Sequence, residues 1–142
     1  MRQISQRVCG RAALGIAAAL AALSLGLACA MLWSDTPRVT GDELEARLAN
    51  GDAPRILDVR TPEEFAAGHI PGAVNIPHTE LSARLAELGA DARERELIVY
   101  CRSGRRAALA EEMLRDAGFS DLRHLEGDMN AWRKQQRPCQ DC

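Results

Sequence analysis

Cys101-Arg102-Ser103-Gly104-Arg105-Arg106 follows directly on the apolar run Leu97-Ile98-Val99-Tyr100. A short run of this kind predicts a buried strand, and the alanine-rich stretch Arg106–Ala117 predicts a helix stopped by Gly118. A cysteine at the carboxyl end of a strand, in a tight loop that opens a helix, meets backbone N–H donors and the positive end of the helix dipole. Three arginines within the loop add to that field. Thiolate is the reactive form of cysteine, and such surroundings lower a thiol pKa from about 8.5 to roughly 3.5–7.5. Gly104 permits a backbone turn that other residues resist. The pattern points to Cys101 as a nucleophile in an anion-binding cradle, with Arg102, Ser103, Gly104, Arg105 and Arg106 as candidate substrate-binding residues. The plainer alternative is a buried strand-end cysteine beside a solvated arginine face. Clustering of the arginines about the sulfur, rather than along the helix, argues against it.

Strands and helices alternate around this loop. Thr40-Gly41-Asp42-Glu43 and Thr61-Pro62-Glu63-Glu64 are capping-box sequences, the second with proline at the first helical position. The first opens a helix that runs to Asn50-Gly51, and the second opens a short helix. Arg55–Val59 predicts a buried strand, Ala73–Ile76 a brief one and Leu122–Leu125 the last. Thr79–Leu88 predicts a helix, and a short helix carries Trp132. Such alternation predicts an α/β fold, a parallel sheet covered on both faces. In these sheets ligands bind beyond the carboxyl ends of the strands. Asp58 and Arg60 lie at or just past one such end, and Cys101 past another. Asp58 is expected to be structural, a loop-capping acid at the site. Arg60 either binds an anionic substrate or pairs with Asp58. His69 falls in a turn, His78 precedes a helix it is expected to cap, and His124 lies in a strand. None has the setting of a catalytic base, and a thiolate needs none.

The chain resembles the rhodanese family, sulfurtransferases that carry sulfur as a cysteine persulfide. The resemblance rests on Leu57-Asp58-Val59-Arg60 with Thr61-Pro62-Glu63-Glu64-Phe65, on Gly68-His69-Ile70-Pro71-Gly72-Ala73-Val74-Asn75-Ile76-Pro77, on the Cys101–Arg106 loop, and on Gly118-Phe119 through Leu125 to Ala131-Trp132. These segments occur in family order from about Val39 to Trp132. One departure is visible. The family usually has a Gly-Gly pair before the final Ala-Trp, and this chain has Glu126-Gly127-Asp128. The resemblance implies a rhodanese-like fold with a five-stranded parallel sheet. It also implies a thiosulfate sulfurtransferase-like enzyme that passes sulfane sulfur through a Cys101 persulfide to a thiol or cyanide, with no cofactor.

The net charge of −2 conceals an asymmetry. Arg2, Arg7 and Arg11 precede every acidic residue, and the remainder carries fifteen basic residues against twenty acidic ones. An acidic body with one lysine and a local arginine cluster excludes a nucleic-acid-binding face and suits a small anion. Between Arg11 and Asp35 lie 23 uncharged residues, 12–34. As a helix they would span about 33 Å, enough for a bilayer core of about 30 Å. Arginines before the segment and acids after it predict a membrane partner through 12–34 and a domain on the periplasmic side of the inner membrane. An uncleaved anchor, a signal cleaved at Ala28-Cys29-Ala30 and a lipoprotein box around Leu27-Ala28-Cys29 all remain open. The expected organisation is a signal or transmembrane segment over 1–35, a rhodanese-like domain over 36–135 and a tail over 136–142.

The tail carries Cys139 and Cys142 as C-x-x-C. The pair is open to three roles: a small disulfide, a resolving dithiol or a disordered end. Zinc normally needs four ligands, and no second pair exists in the chain, so no metal is expected. An alternative function follows, an exported thiol-redox or sulfur-carrier module that uses Cys101 with the C-terminal pair. Phosphatase and arsenate-reductase chemistry is disfavoured, because related loops place five residues between cysteine and arginine. Here four separate Cys101 from Arg106. A non-catalytic rhodanese-like module is also disfavoured, since such modules often lack the cysteine.

Overall fold

The computed structural model describes residues Thr36–Cys142. The segment 1–35, with the hydrophobic helix expected there, lies outside the described residues. Among the described residues no helix is long and apolar enough to cross a membrane.

Five strands form one sheet: β1 (Arg38–Val39), β2 (Arg55–Asp58), β3 (Val74–Asn75), β4 (Leu97–Tyr100) and β5 (Leu122–Leu125). Their order is β1-β5-β4-β2-β3 and every pair is parallel. The helices are α1 (Gly41–Ala49), α2 (Pro62–Ala66), α3 (Leu81–Arg84, continued by a 3-10 turn over Leu85–Leu88), α4 (Arg105–Asp116) and α5 (Asp128–Lys134). The expected α/β class with a parallel five-stranded sheet is therefore present. β1 has only two residues, too few to leave a periodic signal, and it joins the sheet by pairing with β5.

Alternation along the central strands sorts the core into two layers. Leu57, Val59, Leu97, Val99 and Cys101 pack with Leu81, Leu88, Ala107, Ala110 and Leu114. Ile56, Ile98 and Tyr100 pack with Leu44, Met129 and Trp132 on the other face. A strand buried on both faces must be apolar at every position, and β4 is buried throughout. Ala107, Ala110, Glu111 and Leu114 form the buried stripe of α4, spaced as one helical face requires. One member of that stripe is a carboxylate.

Local signals set the helix starts. Thr61 Oγ1 accepts from Glu64 N–H while the Glu64 carboxylate accepts from Thr61 N–H, a complete capping box. At Thr40 only the hydroxyl half forms. α3 begins after Glu80 with no side-chain cap, so His78 does not cap it. The central place of β4 in the sheet puts Cys101 at the middle of the carboxyl edge.

Candidate active site

Cys101 is 1% exposed and belongs to the core layer beneath α4. The chain turns sharply through Arg102, Ser103 and Gly104 and enters α4 at Arg105. Gly104 makes the turn possible. Its φ of +99° is a conformation that side chains rarely adopt. This conformation aims Gly104 N–H at the sulfur, with N···Sγ 3.1 Å. A backbone donor and the start of a twelve-residue helix thus face the thiol from the same side.

A cavity of about 370 Å³ opens over the sulfur, lined by His78, Cys101, Ser103, Arg105, Arg106 and Leu109. That volume suits a small ligand. Of the loop arginines, Arg105 and Arg106 reach this lining and Arg102 does not. Arg102 is exposed, and its carbonyl accepts from Asn130 N–H at 3.1 Å. Arg106 is oriented by Glu64, which takes two guanidinium hydrogen bonds of 2.6 and 2.9 Å. The Arg106 guanidinium holds the Glu64 carboxyl down at about 2. Glu64 is the same residue that completes the capping box at Thr61. One short helix therefore fixes an arginine at the pocket from forty-two residues away. His78, expected as a helix cap, is instead a pocket wall.

Asp58 and Arg60 form a buried pair away from the cavity. Asp58 Oδ1 accepts from Arg60 N–H at 2.9 Å, the loop-capping role expected of it. The Arg60 side chain donates to both carboxylate oxygens, at 2.6 to 3.0 Å, and to the Gly68 carbonyl at 2.9 Å. With Arg60 2% exposed and absent from the cavity lining, the expectation of a substrate contact is corrected. Its Nε and Nη2 donate to the carboxylate two residues back and to the Gly68 carbonyl. His69 is also structural, stacked on Phe65 with Nδ1 3.0 Å from the Phe65 carbonyl.

Three residues behind the loop escaped the sequence reading. Asp128 Oδ1 accepts from Cys101 N–H at 2.7 Å, and Asp128 Oδ2 lies 3.1 Å from His124 Nε2. His124 Nδ1 is 2.6 Å from Glu111. Hydrogen bonds to Asp128 and then to Glu111 push the His124 imidazolium up to about 10, so it is charged at neutral pH. Asp128 stands where the family resemblance called for glycine, and its φ of +52° keeps the glycine-like backbone. The left-handed conformation costs a side-chain-bearing residue about 1–2 kcal/mol. Two signals were available: Asp128 in place of the glycine, and Glu111, an acid on the apolar stripe of α4.

The C-terminal residues are docked. His69 and Gln140 exchange backbone hydrogen bonds of 3.0 and 2.9 Å, and Trp132 Nε1 donates to the Pro138 carbonyl at 2.8 Å. Cys139 and Cys142 form a disulfide whose sulfurs cover Gly68, leaving no room there for a side chain. Cys139 packs on the Trp132 layer, across the sheet from the layer that holds Cys101. Among the described residues, no group of acids, histidines and cysteines is arranged to hold a metal ion.

The model for the Rhodanese-like domain matches residues 40–135. A human thiosulfate:glutathione sulfurtransferase is 37% identical over 107 residues, covering 68% of this chain and 92% of that protein. The Mycobacterium tuberculosis HTH-type transcriptional regulator Rv0324 is 42% identical over 105 residues, covering 72% of this chain and 44% of the regulator. The chain thus spans less than half the length of the mycobacterial relatives it matches. Among solved structures, the human single-domain sulfurtransferase TSTD1 superposes with a TM-score of 0.61 at 35% identity, over 71% of this chain and 98% of that one.

Proposed function

Because the chain belongs to the rhodanese-like domain family, with sulfurtransferases among its relatives, we propose that it moves sulfane sulfur from thiosulfate to a thiol or cyanide through a persulfide on Cys101. The observation that carries this reading is the sulfur at the floor of a cavity walled by Arg105, Arg106 and Ser103, with a backbone N–H already directed at it. Thiosulfate is a compact dianion; Arg105 offers its guanidinium to it, and Arg106, held by Glu64, forms the adjoining wall. The Cys101 thiolate attacks the outer sulfur, the bond from that sulfur to the sulfonate breaks, and sulfite leaves with the electron pair. Cys101 then carries a terminal S⁻ that projects into the cavity beside Ser103 and Arg105, while Gly104 N–H stays directed at Sγ. Cyanide or a thiolate next attacks this outer sulfur and restores the Cys101 thiolate. The two half-reactions predict ping-pong kinetics. Each step balances without a metal or organic cofactor.

Intact mass measured after incubation with thiosulfate tests the proposal directly. The protein is expected to gain the mass of one sulfur atom and lose it again on adding cyanide. No gain overturns the persulfide route. The same measurement reports the mature N-terminus.

Arg105→Ala is expected to raise the KM for thiosulfate about tenfold, the effect of losing one charge-assisted contact. Initial rates against thiosulfate concentration check this, and an unchanged KM removes Arg105 from the binding site.

Localisation forms part of the proposal through the charge pattern around residues 12–34, with the domain on the outer side of the inner membrane. A reporter enzyme active only outside the cytoplasm, fused after Cys142, is then expected to work. Activity confined to a cytoplasm-specific reporter reverses the assignment.

A further inference from the structure

The buried cluster of Asp128, His124 and Glu111 has no part in the transfer steps, yet it touches the nucleophile's loop at both ends. At one end Asp128 accepts Cys101 N–H, while Met129 N–H donates to the Cys101 carbonyl at 3.1 Å. Both backbone groups of the nucleophile are therefore held by the first residues of α5. At the other end a Cβ on Gly104 would lie 3.2 Å from Asp128 Oδ2 and 3.6 Å from His124 Nε2. The cluster is thus packed beneath the residue that donates to the sulfur. The side chains of Asp128 and Glu111 are 3% and 5% exposed, so water screens little of their charge.

A fixed carboxylate under a cysteine has two opposed effects. As a hydrogen-bond acceptor it sets the position of the backbone that places the sulfur. As a negative charge it opposes ionisation of the thiol. The chain meets the second effect with a cation bonded to the same carboxylate. The charged groups facing His124 are Asp128 from α5 and Glu111 from α4, and Glu111 in turn has Arg115 at 4.0 Å. His124 is hydrogen-bonded to both carboxylates, Nε2 to Asp128 and Nδ1 to Glu111, which places it as their local counter-charge.

We infer that Asp128 and His124 are a positioning pair for Cys101, in which Asp128 anchors the nucleophile's backbone and His124 neutralises the carboxylate so that it can lie beneath a thiolate. This deepens the sulfur-transfer reading and rests on Cys101 being its nucleophile. Of the two, Asp128 stands where the family resemblance called for glycine. The left-handed backbone at Asp128 is retained, and the side chain added there is tied to the active loop.

The test is the rate of Cys101 alkylation by iodoacetamide across pH, in the full chain with the Cys139–Cys142 disulfide closed, alongside thermal melting. His124→Gln strands two carboxylates beneath the sulfur, and its alkylation rate at pH 7 is expected to fall on the order of tenfold. Asp128→Asn keeps an oxygen for Cys101 N–H but removes the negative charge, and its profile is expected to shift to lower pH. The double variant removes one charge of each sign and is expected to return to within about threefold of the parent rate, a coupling that a double-mutant cycle isolates. A cluster that only supports the fold would lower the melting temperature and leave all three profiles in place, and that result overturns the inference. So does a double variant as slow as His124→Gln alone. If His124→Gln does not fold, the near-isosteric Asp128→Asn decides: a profile shifted to lower pH supports the pair, and an unmoved one overturns it. Alkylation needs no sulfur donor. Parent protein that takes no sulfur from thiosulfate, with profiles shifting as stated, removes the transfer reading and leaves the positioning pair standing.

Discussion

Cys101→Ser is expected to reduce thiosulfate:cyanide sulfur transfer to background and to eliminate the sulfur adduct, with the fold retained. The substitution exchanges one small atom for another at a residue that is 1% exposed, in a layer of leucine, valine and alanine side chains. A serine oxygen remains within reach of Gly104 N–H, so the loop keeps its turn. What disappears is the chemistry. A serine hydroxyl is essentially un-ionised at neutral pH, and its oxygen does not form a persulfide. The expected change in stability is within about 1 kcal/mol, in keeping with a substitution that opens little cavity. Turnover and melting temperature measured on the same preparation check both halves. Sulfur transfer retained in the variant would falsify the Cys101 persulfide. Lost turnover with a collapsed melting temperature would trace the loss to folding and require the alkylated parent protein as the inactive form.

Arg60→Ala carries the second large effect, on stability rather than on chemistry. The side chain makes hydrogen bonds to both oxygens of Asp58 and to the Gly68 carbonyl, and Asp58 is 0% exposed. Removing the guanidinium leaves a buried carboxylate whose remaining backbone donor is Arg60 N–H, and breaking such a pair costs about 3–5 kcal/mol. A domain of this size has a total stability of roughly 5–15 kcal/mol, so the expected fall in melting temperature is about 15 °C or more. The guanidinium fork is also geometric, and Arg60→Lys is expected to recover only part of the loss, since one ammonium cannot serve both carboxylate oxygens and Gly68. Thermal melting of the two variants measures this. The kinetic prediction is the complement: below the transition, the KM for thiosulfate in Arg60→Ala stays near the parent value. A raised KM with an unmoved melting temperature would return Arg60 to the substrate site.

Local chemistry was legible where it is written in consecutive residues. The apolar run Leu97–Tyr100 is a fully buried strand, as its β-branched residues, its short length and the loop that follows indicated. Thr61 with Glu64 is a capping box because both hydrogen bonds close within three residues. Gly104 has the positive φ that a sharp turn before a helix demands. For the same reason the order of strands and helices was readable and the exact lengths were not. β1 and β3 have two residues each, and their pairing partners rather than their own side chains make them strands.

Charge partnership is a property of folded distance, and here sequence alone was silent or divided. Arg60 had two open roles, and only the close approach of Asp58 and Gly68 in the fold assigns its donors. Arg102 and Arg105 looked equivalent in the loop, but the turn at Gly104 directs Arg105 to the cavity and leaves Arg102 outside it. Glu64, Glu111, His124 and Asp128 come from α2, α4, β5 and α5 and meet the Cys101 loop only because parallel β-strands end together at one edge of the sheet. The amino-acid sequence by itself singled out the candidate nucleophile, because a cysteine after a strand, a flexible glycine and a helix start are local. The tertiary structure decided which charges surround that atom. Coulomb energy falls with distance through space, and separation along the chain does not measure that distance.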